Sequence, residues 1–150
     1  MSIAVNTILH IGLGSFHRAH QAVYLNALRE TGDKSWAIIG GNIRDDQPAT
    51  MAALIAQKGE YTLETVTPGG ERRYERIRSI AEVIPFDPRL MRLIEVGAKA
   101  STRIISFTVT EAGYYLDSHN KLDPGHAELR KDLDDGGHRT IYGALAVILR

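Results

Sequence analysis

Cysteine is absent from all 150 residues. That excludes disulfide staples and thiolate-bound zinc, and nothing asks for an oxidising compartment. There is no surplus of charge either, since 18 Lys and Arg balance 18 Asp and Glu. Phosphate-binding surfaces ordinarily leave a basic excess, so nucleic acid is not expected as a partner. No run approaches the ~18 apolar residues of a membrane span. The N-terminal MSIAVNTILHIGLG lacks the basic n-region of a leader. A cytoplasmic protein without a membrane partner is the expectation. Repeats and low-complexity linkers are also missing, so the chain reads as one domain.

What is present is 43% hydrophobic residues and fourteen glycines, several of them where apolar runs end. Residues 7–13 predict a short buried strand, 16–30 a helix with Ser15 as its cap, and Trp36–Gly40 a second buried strand. A helix follows, capped by Asp45 or Asp46, with Pro48 in its first turn and Gly59 as its close. Strand, helix, strand, helix with short connections predicts a parallel sheet with crossover helices. YTLETVTPGGERRYERIRSI breaks the pattern and reads as a hairpin about Thr67–Pro68–Gly69–Gly70. Residues 87–97 predict a helix capped by Asp87, and 102–110 the most β-rich run, placed as a central strand. Residues 124–134 and 139–150 predict two more helices. Arg150 lies inside an apolar helix with no cap, which suggests a fragment of a longer protein. The expected fold is α/β: a Rossmann-type open, mostly parallel sheet, helices on both faces, with a β-hairpin insertion.

The chemistry concentrates in ILHIGLGSFHRAHQAVYL, residues 8–25. A dinucleotide turn needs one glycine where the chain bends off the strand. It needs a second where the backbone approaches the pyrophosphate, and a third where helix packs on strand. Gly12 and Gly14 fill the first two places. The third holds His17, so either the helix packs less tightly there or its imidazole faces the phosphates, with Arg18 as a further cationic contact. The plainer alternative is a βα turn without a ligand. At the end of the second strand, where an acid usually holds the ribose, stand Gly41 and Asn42, with Asp45 and Asp46 beyond. Arg44 is suited to a 2′-phosphate, so residue chemistry leaves NAD and NADP both open.

Two weaker constellations accompany the turn. His17 and His20 are three apart, but no third ligand completes a metal set, and none is expected. His10, within the strand, reads as a satisfied core histidine, and His119, His126 and His138 as loop or surface residues. SFTVTEAGYY, 106–115, leaves a strand end with Thr108, Thr110, Glu111 and Gly113, where ligands of open α/β sheets lie. Tyr114 and Tyr115 are candidate wall residues.

GLGSFHRAHQAVYL, GNIRDD, GEYTLETVTPGGERRYE, SFTVTEAGYYL and RTIYG, in this order over residues 8–150, resemble the long-chain mannitol dehydrogenase family. These are polyol-specific, zinc-independent dehydrogenases. The resemblance makes Phe16-His17-Arg18 the family's own form of the turn. It implies NAD as cofactor, held by the segment 9–20, which contains Ile11, Gly12, Leu13, Gly14, Ser15, Phe16, His17 and Arg18. It further implies that the region of Arg44 to Asp46 lies near the adenosine ribose, where Asn42 or Asp45 has the chemistry to bond a ribose hydroxyl, and that Thr110 and Glu111 lie toward the active-site end. Ala112 departs from the family, where glycine is commoner.

A larger departure concerns catalysis. The family's catalytic lysine, with an asparagine and a histidine, belongs to a helical C-terminal domain, and no Lys-x4-Asn-x2-His spacing occurs here. The expectation is therefore the cofactor half of an enzyme that oxidises a polyol's secondary alcohol to a ketose. No catalytic residue is expected in the chain itself, and the small polyol and its own C-terminal domain are its partners. Rival readings are an S-adenosylmethionine methyltransferase, whose ligand has no pyrophosphate, and a non-enzymatic nucleotide sensor.

Overall fold

The computed structural model describes residues 5–150, so the first part of the N-terminal stretch read for leader character lies outside it. Six strands and their helices follow in the order β1 (Asn6–Ile11), α1 (Ser15–Ala19), α2 (Gln21–Glu30), β2 (Trp36–Gly41), α3 (Pro48–Ala56), β3 (Tyr61–Val66), β4 (Arg72–Ile77), β5 (Ile80–Ile84), α4 (Met91–Gly97) and β6 (Thr102–Phe107). A 3-10 turn (Glu111–Tyr114) and helices α5 (Ala127–Asp135) and α6 (Ile141–Ile148) complete it.

The sheet runs β5-β2-β1-β6 and is parallel throughout, while β3 and β4 pair antiparallel as a separate hairpin. Alternation along β1 sends Ile8 to one face and Leu9 and Ile11 to the other, which gives two cores. The first holds Ile8, Leu13, Ala22, Leu25, Ile38, Met51 and Leu54, under α2, α3 and the hairpin's Leu63. The second holds Leu9, Ile11, Leu93, Val96, Ile141 and Ile148, under α4 and α6. The Rossmann-type sheet with helices on both faces and a hairpin insertion is thus what the chain forms. None of the described helices is long and apolar enough to cross a membrane.

Several expected elements are shifted, each for a local reason. The helix read over 16–30 is two helices, broken at His20 (φ −127°, ψ −87°). There the imidazole Nδ1 sits 2.7 Å from the Phe16 carbonyl, and so takes the bond that a continuous helix would give to the backbone N–H. Neither Asp45 nor Asp46 caps α3. Gln47 holds the cap position and Pro48 the first turn. Asp87 does not start a helix at its own position. Its carboxylate accepts from the Arg89 and Met91 amides (3.0 and 3.2 Å), closing a turn that passes through left-handed Leu90 (φ +51°) before α4 begins.

β6 stands at an edge of the sheet among the described residues, not at its centre, and Ile104 and Phe107 are exposed. A β-branched run reports a fit to a pleated surface, not a rank within it. β5 has no counterpart in the sequence reading, because Glu82 interrupts its apolar run. Arg92 meets that carboxylate at 2.9 Å at the sheet surface.

Gly97 carries the contact between α4 and α6. A Cβ there would lie 2.1 Å from Cγ2 of Ile148, itself buried. We expect Gly97→Ala to lower the unfolding free energy by about 1–3 kcal/mol through overpacking, measured by urea denaturation.

Candidate functional site

The site forms where β1 ends between the carboxyl ends of β2 and β6. Chain connections leave β1 toward β2 on one side and reach β6 on the other, so this is the switch point at which open α/β sheets bind ligands. A cleft of about 510 Å³ lies there. Its floor is the turn from Ile11 to Phe16, one wall runs from Asn42 to Gln47, and the other comprises Thr108–Thr110, Gly113, Tyr115 and Ile141.

The two glycines of the turn are glycine for different reasons. Gly12 has φ +103°, and a Cβ would sit 2.4 Å from the carbonyl oxygen of Thr108. Its backbone approaches β6 too closely for any side chain, and the chain itself requires glycine there. Gly14 has an ordinary φ of −70°, and a Cβ would meet nothing within 4 Å. Nothing among the described residues requires glycine at 14. No side chain caps α1, and no acidic residue occupies its first turn.

Side chains from three strand ends fix the peptide between Gly12 and Leu13. The Gly12 carbonyl accepts from the Gly14 amide (2.8 Å), Thr108 Oγ1 (3.0 Å) and His10 Nε2 (3.1 Å). His10 Nε2 also lies 2.8 Å from Thr108 Oγ1, and Nδ1 lies 2.8 Å from Ser106 Oγ, so both ring nitrogens have partners. On the other side of the peptide, the Leu13 amide donates to Asn42 Oδ1 at 2.9 Å. Leu13 itself is fully buried against Gly40, where a Cβ would come within 2.6 Å of its methyl group.

His17 resolves the question of the missing third glycine. Its ring stacks on His10 with centroids 3.6 Å apart and planes 16° from parallel, and the residue is 1% exposed. The helix keeps its distance from the strand, and two flat rings fill the gap. Neither His17 nitrogen has a hydrogen-bond partner among the described residues, with Gln21 the polar side chain nearby. Burial pushes the His17 pKa down to about 3, helped by His10, and burial pushes that of His10 down to about 4. Both rings are neutral at pH 7.

Of the residues expected to hold a cofactor, Ile11, Gly12, Gly14, Ser15, Phe16, Asn42, Arg44 and Thr110 line the cleft. Leu13, His17, Arg18, Asp45 and Glu111 do not. Leu13 is core. His17 faces inward to His10, away from any phosphate over the turn. The Arg18 Nε donates to the Gly14 carbonyl at 3.3 Å, and the Arg18 carbonyl accepts from the Tyr61 hydroxyl at 2.5 Å. Asp45 lines a second, neighbouring cleft that Arg44 shares. The oxygen of Asn42 is committed to Leu13, so the turn already occupies the atom proposed for a ribose hydroxyl.

Thr108 and Gly113, which the sequence offered as strand-end candidates for the nicotinamide half, line the cleft too, while Val109 and Gln47 belong to the lining without having been singled out. Thr108 carried a signal, as the polar residue just past a strand end. Ile141 arrives from a helix distant in sequence, and although it lies in the RTIYG stretch, nothing in that stretch points to the cleft. His10 is the satisfied core histidine that its place in a strand suggested. Among the described residues, no three His, Asp or Glu are grouped to hold a metal.

The profile described as "Mannitol dehydrogenase Rossmann domain" matches residues 6–148, and the chain belongs to that family. Similar to it are the D-arabinitol 4-dehydrogenases of Ralstonia nicotianae, 59% identical over 145 residues, and of Klebsiella pneumoniae, 53% identical over 143. Each match covers 95% of this chain and 31% of the relative, so the chain spans under a third of their length. Among solved structures, Pseudomonas fluorescens mannitol 2-dehydrogenase, in ternary complex with NAD and D-mannitol, superposes with a TM-score of 0.87. It is 31% identical, over 97% of this chain and 30% of that one. These matches lend no support to a methyltransferase or a free-standing sensor.

The stacked histidines set a pH dependence. Their folded pKa values lie below the ordinary ~6.5, so below that pH the unfolded chain takes up protons that the folded one refuses. Stability is complete above about pH 6.5 and falls with pH toward 4 for His10 and 3 for His17. Each group contributes a slope of up to ~1.4 kcal/mol per pH unit. Urea unfolding between pH 7 and 4.5 should show this slope roughly halved in His17→Phe, which keeps a flat ring against His10.

Proposed function

We propose that this chain is the dinucleotide-holding part of an NAD-dependent polyol dehydrogenase, one that oxidises a secondary alcohol to a ketose. D-arabinitol, giving D-xylulose, is the substrate to test first, because relatives of that name are the more similar. Mannitol, giving fructose, is the second. The observation that carries the reading is Gly14. An ordinary backbone angle, open space where a Cβ would be, and a place on the floor of the cleft together call for a ligand that approaches the main chain.

Within this reading the Gly12–Ser15 backbone faces the pyrophosphate. Asn42 keeps that backbone in place, and the Arg44–Asp46 loop lies beside the adenosine ribose. Thr108 and Thr110 line the path toward the nicotinamide. When bound, NAD supplies the acceptor for the hydride that leaves the alcohol carbon. The chain's own part in this reading is to bind, orient and exclude water. The proton of the alcohol would pass to a lysine of a helical C-terminal domain in the remaining two-thirds of the protein, with an asparagine and a histidine at the substrate oxygen. A charge-balanced, cysteine-free composition fits a cytoplasmic setting for such an enzyme.

The two glycines separate ligand binding from folding. Gly14→Val should leave the melting temperature within about 3 °C of the parent while weakening NADH at least ~10-fold, read by nucleotide fluorescence. Gly12→Ala should lose stability as well, because the turn must open to admit the methyl group. If Gly14→Val binds NADH as the parent does, the dinucleotide does not lie over this turn.

A further inference from the structure

Arg44 is the first cation past β2, and it lines both the main cleft and its neighbour. An arginine in this place is the usual reader of a 2′-phosphate. Here its guanidinium is already engaged. Nη2 donates to the Tyr115 hydroxyl and to Glu128 Oε2, each at 2.5 Å, and the Tyr115 hydroxyl donates to the same carboxylate oxygen at 2.7 Å.

The carboxylate is placed, not merely nearby. Tyr115 is 5% exposed, with His126 edge-on at 4.6 Å, and its left-handed backbone (φ +49°) is a conformation an aromatic residue holds only under constraint. Glu128 projects from the first turn of α5, whose cap is that same His126. The Arg44 and Glu128 side chains are 49% and 42% exposed, so their ion pair adds little to stability. Its consequence falls on what the guanidinium can accept.

We propose that Glu128 is a specificity-determining residue: by holding Arg44 it directs the cleft to a dinucleotide with a free 2′-hydroxyl and against one with a 2′-phosphate. The inference rests on the dinucleotide reading above. A phosphate arriving at Arg44 must displace the carboxylate or lie beside it, and like charges at that separation repel. Asp45 and Asp46 on the same loop keep the surroundings acidic. Arg139, across the second cleft, is itself paired with Asp135 at 3.0 Å. Such an arrangement discriminates by a repulsive element rather than by an added attraction.

Glu128→Gln keeps the side chain's shape and hydrogen bonding but removes the charge. Titrating the full chain with NADH and NADPH by nucleotide fluorescence should show the NADPH-to-NADH affinity ratio rising at least ~10-fold in this variant. The gain should vanish in R44Q/E128Q, because the freed guanidinium is what receives the phosphate. An unchanged ratio in Glu128→Gln, with NADH still bound, overturns the inference and leaves the dinucleotide reading standing. So does a gain that persists without Arg44. A parent protein that binds neither nucleotide refutes the dinucleotide reading, and this inference with it.

Discussion

The site depends on the orientation of one peptide plane, between Gly12 and Leu13. Three donors converge on its carbonyl, and one acceptor holds its amide. They come from β1, from the loop past β6, from the end of β2 and from the turn itself. No single strand end could hold this plane alone. Turning it over would orphan the buried Asn42 oxygen, at about 1–3 kcal/mol for an unsatisfied group, while His10 Nε2 would keep only Thr108 Oγ1. The conformation that opens the Gly14 backbone to the cleft is therefore bound to the register of three strands.

That dependence explains why this turn tolerates a histidine where a third glycine is usual. Glycine at that place serves a close approach of helix to strand. In this protein the close approach has moved. Gly40 on β2 admits Leu13, and Gly12 admits the Thr108 carbonyl. The helix start is left standing off β1 by the thickness of two stacked rings. His10 is fixed by Ser106, Thr108 and Gly12, and His17 is fixed by lying on His10. An aliphatic residue at 17 would fill the space without presenting a flat face to the imidazole that pins the turn.

Much of this was legible along the chain, and the rest was not for identifiable reasons. Buried strands bounded by glycine, the Pro48 helix start and the Thr67–Gly70 hairpin are local patterns, and local patterns are what a sequence exposes. Thr108 and Tyr115 were visible as polar and aromatic residues past a strand end. The direction in which a side chain faces was not visible. His17 reads equally well as a phosphate contact or as a core residue until the ring of His10 is placed beneath it. Asn42 reads as a ribose ligand until the Leu13 amide, 29 positions earlier, claims its oxygen. The edge rank of β6 and the arrival of Ile141 in the cleft depend on the order of strands and the return of a distant helix. No window of sequence contains either.

The polar groups divide by charge in a way that suits the proposed ligand. Beneath the turn every one is neutral: the His10 and His17 imidazoles, the Ser106 and Thr108 hydroxyls, and the Asn42 amide. Burial keeps the imidazoles so, since a cation there would lose its solvation with no carboxylate to face it. A buried acid in their place would have competed for the backbone N–H groups at the start of α1 and lowered the potential that an anion meets there. Arg44, Asp46 and Glu128 carry formal charges at the rim, where solvent screens them and small rearrangements are inexpensive, while Arg18 meets the turn through its Nε at the Gly14 carbonyl. A neutral floor can hold any dinucleotide by its shared pyrophosphate, while a charged rim can tell one dinucleotide from another. The two tasks fall to different residues, so selection at the rim can change without disturbing the peptide plane on which binding rests.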